Sequence, residues 1–254
     1  MLHRFLQAKA REIQALQTQE AKGLLPNPGP RPRPGLRQAL QDQGPGAVIA
    51  EYKRASPSKG QINPELAPED AAQAFARGGA AAVSVLTMQE FFSGELQFLD
   101  RVSICGLPLL RKDFILHPLQ VRQTAKTPAS ALLLIVRLFL EQPDKLRELY
   151  QLALELGLEP VLEIFQPQEL ELARELGAGL IQVNTRDLDS LEIDFAPARD
   201  LISKKQPWET WILASGIDNR DQIRHWSQAG FDAFLVGTWI MSGPDPARAV
   251  QSLV

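Results

Sequence analysis

Glu51 and Lys53 stand two residues apart at the end of an apolar run, Ala47-Val48-Ile49-Ala50, and Ser56, Pro57, Ser58 and Gly60 follow at once. Side chains alternate across a strand, so Ile49, Glu51 and Lys53 share one face. A carboxylate and an ammonium then close a buried strand, aimed the same way. Buried charge is costly unless it is paired or used, so the two are either a structural ion pair or part of a site. Other apolar runs end in the same manner. LLRKDF brings Arg111, Lys112 and Asp113; VLEIF brings Glu163; IQVNTRD brings Asn184 and then Arg186. Two more runs end in a small residue beside a hydroxyl, Ser215-Gly216 and Gly237-Thr238.

These types suit proton transfer on an anionic substrate. A lysine ammonium is a proton donor by default, and a carboxylate such as Glu163 accepts a proton or stabilises a developing cation. A Schiff base on Lys112 or Lys53 would need a neutral amine, which the neighbouring carboxylates oppose. Glycine lets a backbone N–H approach an anion closely, so the 215–216 and 237–238 pairs are candidate phosphate contacts. His3, His117 and His225 have no metal-ligand spacing, and there is a single cysteine. No metal is expected. SPSKG is not a dinucleotide fingerprint, and no cofactor is expected.

The elements that must carry these residues follow from periodicity. Short apolar runs recur at 47–53, 82–87, 107–112, 131–136, 159–164, 179–184, 210–214 and 233–237. Helical patterns lie between them. From Pro143, residues Leu146, Leu149, Tyr150, Ala153 and Leu156 make one face, with proline suited to the first turn and Gly157 to the stop. The segment from Pro167 to Leu176 repeats the device, with Gly177 after it. Further helices are predicted over 68–77, 118–126, 196–203, 218–229 and 244–253, another near 95–101, and a short one after Gly237. Runs of Val, Ile, Leu and Ala without polar alternation are strands of a parallel sheet covered outside. Eight such units predict an α/β fold, a (β/α)8 TIM barrel with an N-terminal helical extension, whose chemistry sits at the C-terminal ends of the strands. A doubly wound open sheet is the alternative; it would favour a Gly-rich turn after the first strand.

The extension is assigned to residues 1–45 and the barrel to 46–254. Leu2, Phe5, Leu6, Ile13 and Leu16 give the first 20 residues a helical face. Prolines 26, 28, 30, 32 and 34 then exclude helix and predict extended chain. LRQALQDQ predicts a short helix before the first strand.

Composition excludes several classes. The chain has 254 residues, 44% apolar, enough for one large core, and a net charge of −3. No basic face for nucleic acid is evident; Arg31, Arg33 and Arg37 read as a solvated linker. No apolar run reaches the ~20 residues of a membrane span. The start carries charges throughout, unlike a signal peptide. One cysteine, Cys105, permits no intrachain disulfide and is expected to be buried and inert. A cytoplasmic protein is the expectation.

The segments IAEYKRASPSKG, SVLT with FFSGEL, LPLLRKDFILHPLQV, LLLIV, LEPVLEI, IQVNTRDL, ASGI and FLVGTWIM, in this order, resemble the indole-3-glycerol phosphate synthase family from about residue 36 to the C-terminus. The resemblance implies a cofactor-free carbon–carbon lyase of tryptophan biosynthesis. Its substrate would be a small phosphosugar-anthranilate, 1-(2-carboxyphenylamino)-1-deoxyribulose 5-phosphate, closed to indole-3-glycerol phosphate with loss of CO2 and water. It implies Lys112 as the general acid and Glu163 as the partner carboxylate. Lys53 would be the second ammonium, and Glu51 and Asn184 orienting groups. Ser56 and Arg186 would bind substrate, Phe92 and Phe114 would wall the anthranilate ring, and Ser215, Gly216, Gly237 and Thr238 would cradle the phosphate. No pathway-enzyme partner is named by these residues. Three features depart from the family pattern: Ala214 stands where the family has a glutamate, Arg137 where a small residue is usual, and the N-terminal segment is short and Pro-rich. The alternatives are a paralogous phosphate-binding barrel with altered or lost activity and a phosphosugar isomerase.

Overall fold

The computed structural model describes residues 1–24 and 32–254. Eight parallel strands form a closed barrel: β1 (Ala47–Tyr52), β2 (Ala82–Leu86), β3 (Leu109–Lys112), β4 (Ala131–Ile135), β5 (Glu159–Ile164), β6 (Leu180–Asn184), β7 (Thr210–Ala214) and β8 (Ala233–Val236). Each pairs with its sequence neighbour, and β1 closes on β8 through Ala47 to Ala50 against Ala233 to Val236. The closure excludes the open-sheet alternative. Both faces of every strand are buried, which is why these runs lack polar alternation.

The helices are α1 (Leu2–Ala21), α2 (Leu36–Gln43), α3 (Pro68–Gly78), α4 (Gln89–Phe92), α5 (Phe98–Val102), α6 (Pro118–Ala125), α7 (Pro143–Glu155), α8 (Pro167–Glu175), α9 (Ala196–Ile202), α10 (Arg220–Ala229), α11 (Thr238–Ser242) and α12 (Pro246–Gln251). In α7 the buried residues are Leu146, Leu149, Tyr150 and Ala153, the stripe that a 3.6-residue period dictates. Asn219 and Asp245 start α10 and α12 by accepting the Gln222 and Arg248 backbone N–H groups. The short α4 after β2 is not marked by any period in the sequence, because four residues are too few to show one.

Apolar side chains divide into two clusters, one between strands and helices and one inside the barrel. The N-terminal helices close the inner cluster at both ends. Leu36 and Leu40 of α2 enter it from the N-terminal end of the barrel, and the Glu159 carboxylate at the start of β5 accepts the Leu36 and Arg37 backbone N–H groups. Phe5 of α1 enters at the opposite end, against Phe91, Phe92 and Phe114. The expected apolar face of α1 is met only in part: Phe5 and Leu16 are buried, but the third buried residue is Lys9. The extended chain expected of the proline run lies outside the described residues from 25 to 31; residues 32–35 are non-helical. Cys105 is half-buried rather than buried, and that burial pushes its thiol pKa up. Among the described residues, no helix is long and apolar enough to cross a membrane.

Candidate active site

At the C-terminal ends of the strands lies a cavity of about 400 Å³. Glu51, Lys53, Lys112, Glu163 and Asn184 all line it, with Ser56, Phe92, Phe114, Arg186, Ser215, Gly216, Gly237 and Thr238. The residues singled out from the sequence therefore meet in one place. Arg111 does not. It precedes Lys112 on β3, so alternation sends its side chain outward, where it is bound by Thr87, Gln123, Thr124 and Asp113.

Glu51 is the hub. Its Oε1 accepts from Lys53 Nζ at 2.6 Å, and its Oε2 lies 3.7 Å from Lys112 Nζ with no hydrogen bond of its own. Burial alone would raise the Glu51 pKa, but Lys53 and Lys112 outweigh it and hold the carboxyl below its usual range. Gly237 of the β8 loop makes room for this carboxylate: a Cβ there would strike the Glu51 carboxylate and stand 3.0 Å from its Cβ. Glu163 is the opposite case. Burial dominates and pushes its pKa up, against the pull of Lys112 and the hydrogen bonds of Asn184 and Gln182. The cavity thus holds one carboxylate whose proton affinity is lowered and one whose proton affinity is raised.

Asn184 is fixed by two donors. Its Oδ1 accepts from Ser215 Oγ at 2.9 Å and from the Arg186 backbone N–H at 3.0 Å. Ser215 has φ 75°, a left-handed conformation uncommon outside glycine, and Gly216 follows at φ 76°. A Cβ on Gly216 would lie 2.7 Å from the Phe195 ring. The turn after β7 therefore has a strained backbone packed closely against Phe195 and Ile193, and it lines the same cavity as Gly237 and Thr238 at the start of α11. Ala214 is buried and lines the cavity; its carbonyl accepts the Thr185 backbone N–H at 3.0 Å. No carboxylate stands in that position.

The apolar side of the cavity is formed by Phe92, Phe114, Leu133, Ile135 and Leu188, and by Phe5, whose ring stacks on Phe114 with centroids 4.7 Å apart. The sequence marked Phe5 only as part of the apolar face of α1, not as a residue of the site. Its contacts span about a hundred positions, and no local period reports them. Behind this wall, Lys9 of α1 reaches Asp113 at 2.6 Å and Glu12 at 2.5 Å. Arg111 holds the same Asp113 at 3.0 Å, and Thr87 Oγ1 donates to it at 2.6 Å. Burial would raise the Asp113 pKa, but Lys9 and Arg111 bring it below its usual range. This ion network docks α1 directly beside Lys112. Arg137 links Glu169 at 3.2 Å and Asp187 at 3.2 Å, and lies over the Phe165 ring at 4.1 Å. It ties the loop carrying Arg186 and Leu188 to the ends of β4 and β5. Among the described residues no group of three or more His, Cys, Asp or Glu is arranged to hold a metal.

The family model for indole-3-glycerol phosphate synthase matches residues 2–253. The chain belongs to that family. An indole-3-glycerol phosphate synthase of Desulfosudis oleivorans is 41% identical over 220 residues, covering 86% of this chain and 82% of the relative. The protein of the same name from Carboxydothermus hydrogenoformans is 38% identical over 224 residues, covering 86% and 84%. Among solved structures, a thiamine phosphate pyrophosphorylase from Pyrococcus furiosus superposes with a TM-score of 0.61 at 16% identity, covering 86% of this chain and 96% of that one. That likeness concerns the barrel alone. The isomerase and lost-activity alternatives gain no support from these relatives.

Proposed function

We propose that this protein is an indole-3-glycerol phosphate synthase, closing and decarboxylating 1-(2-carboxyphenylamino)-1-deoxyribulose 5-phosphate. The observation that carries the reading is the pair of lysines on one buried carboxylate, facing Glu163 across a cavity with one aromatic side. Membership of the family supports it.

In this reading the substrate phosphate lies at Ser215-Gly216 and Gly237-Thr238, and the anthranilate ring lies against Phe92, Phe114 and Phe5. Arg186 and Ser56 bind the remaining polar groups, with Lys53 near the anthranilate carboxylate. Lys112 gives a proton to the ribulose carbonyl oxygen as the ring carbon bearing the carboxylate attacks the carbonyl carbon. The aniline nitrogen takes up the positive charge, and the ionised Glu163 stabilises it. Loss of CO2 returns electrons to the ring; the new hydroxyl then leaves as water with a proton from Lys53, while Glu163 takes a proton from the methylene carbon beside the aniline nitrogen. Glu51 holds both lysines in place, and Asn184 orients Glu163. No cofactor takes part. Ala214 removes one carboxylate from the mouth but leaves every group named in these steps.

The test is turnover by the purified chain. Mixing it with the ribulose derivative is expected to produce the indole chromophore together with one CO2 per product. Folded protein that binds the substrate and forms neither would contradict the reading and favour a binding protein.

A further inference from the structure

Gln182 lies on β6, two residues before Asn184, and shares its inward face. It is fully buried. Its register partner across β5 and β6 is Glu163, and its Nε2 donates a hydrogen bond to Glu163 Oε2. A carboxylate only accepts, which fixes the end of the amide that faces it. The other end, Oε1, is buried without a partner. An unpaired buried amide oxygen is unfavourable, so the side chain is not explained by core packing, where an apolar residue would serve better.

We propose that Gln182 is a positioning residue for Glu163, holding its carboxylate in the orientation that proton transfer requires and serving both of its protonation states. The inference rests on the synthase reading. When Glu163 is ionised, the amide N–H donates to it. When Glu163 carries a proton, a half-turn of the amide presents Oε1 as the acceptor for the new O–H. The orphaned oxygen is the unused half of that exchange. The charged groups that act on Glu163 are Lys112 from β3 and Glu169 from α8, and Asn184 supplies a hydrogen bond beside that of Gln182. Gln182 carries no charge and is fully buried.

The test compares kcat, KM and the pH profile of Gln182→Met and Gln182→Glu with the unaltered protein. Loss of a hydrogen bond to a charged group is expected to lower kcat about tenfold in Gln182→Met, with KM within about twofold. The acidic limb of its kcat profile is expected to move to higher pH, because the bond to the ionised form is charge-assisted and stronger than the bond to the protonated form, so its loss penalises the ionised form more. In Gln182→Glu a like charge replaces the donor, and the limb is expected to move further in the same direction. The second variant decides the matter if the first does not fold. An unmoved limb overturns the proposal, whether kcat is unchanged or falls together with thermal stability. An inactive unaltered protein would instead sink the synthase reading, which keeps the two failures distinct.

Discussion

Burial raises the proton affinity of Glu163, and its neighbours only partly offset this. The acidic limb of kcat is therefore expected above the ordinary glutamate value of about 4.3, since the ionised form is the one assigned to catalysis. The same shift has a sign for stability. A carboxyl with a raised native pKa favours the folded state only while protonated, and that contribution is lost as pH rises through the native value. Glu163→Gln is thus expected to abolish turnover yet raise the thermal midpoint at pH 8, with the gain shrinking towards about pH 4. Thermal melts across that range check it; a lower midpoint at pH 8 would contradict the assigned direction. Ala214 belongs to the same scale. Ala214→Glu restores a carboxylate to the mouth and is expected to raise kcat in the side-by-side turnover assay. Unaltered or reduced kcat would mean that the remaining groups suffice without it.

At the scale of elements, α1 connects the cavity to a buried ion network. Lys9 and Asp113 are both almost fully buried and pair at 2.6 Å. Removing one partner of a buried pair costs about 3–5 kcal/mol, and Arg111 remains to hold Asp113, which places Lys9→Met at the lower end. Its expected consequence is loosening of α1, read as faster proteolysis within residues 2–21 and a higher KM, because Phe5 leaves the ring wall. Stable α1 with unchanged KM would contradict this. The strand ends were legible in the sequence because each apolar run stops abruptly at a polar residue, and alternation then assigns faces. Applied strictly, that rule also turns Arg111 outward, yet the convergence of chain ends made it look like a mouth residue. The places of Lys9 and Phe5 at the site were illegible for another reason: their partners, Asp113 and Phe114, lie far along the chain. A lysine in a helical period reads as a solvated face, and only tertiary contact shows that it is buried. Gln182 had a usable signal, since it lies two residues from Asn184 on a strand whose inner face points into the site.

Across the whole molecule the two ends of the barrel do different work. The C-terminal end gathers charge, strained backbone at Ser215 and a buried carboxylate, Glu51, shared by two lysines. The N-terminal end is plugged by Leu36 and Leu40, both almost fully buried. Leu40→Ala is expected to cost about 2–5 kcal/mol in urea unfolding while leaving kcat within about twofold. A large fall in kcat would show that the two ends are coupled. The eight-fold alternation was readable because several βα units carry their own start and stop residues, Pro143 with Gly157 being the clearest. The position of α1 over one end and α2 over the other was not, because closure of a barrel leaves two apolar openings and no local pattern says which segment covers which.

The central claim is that Lys112 transfers a proton to a substrate bound by other groups. The direct measurement is a single-turnover experiment with Lys112→Met, following substrate binding and indole formation together. Binding within a few-fold of the unaltered protein is expected, with the chemical step slowed by about 10²–10⁴-fold. Indole formation at the normal rate, or loss of binding equal to the loss of rate, would contradict it.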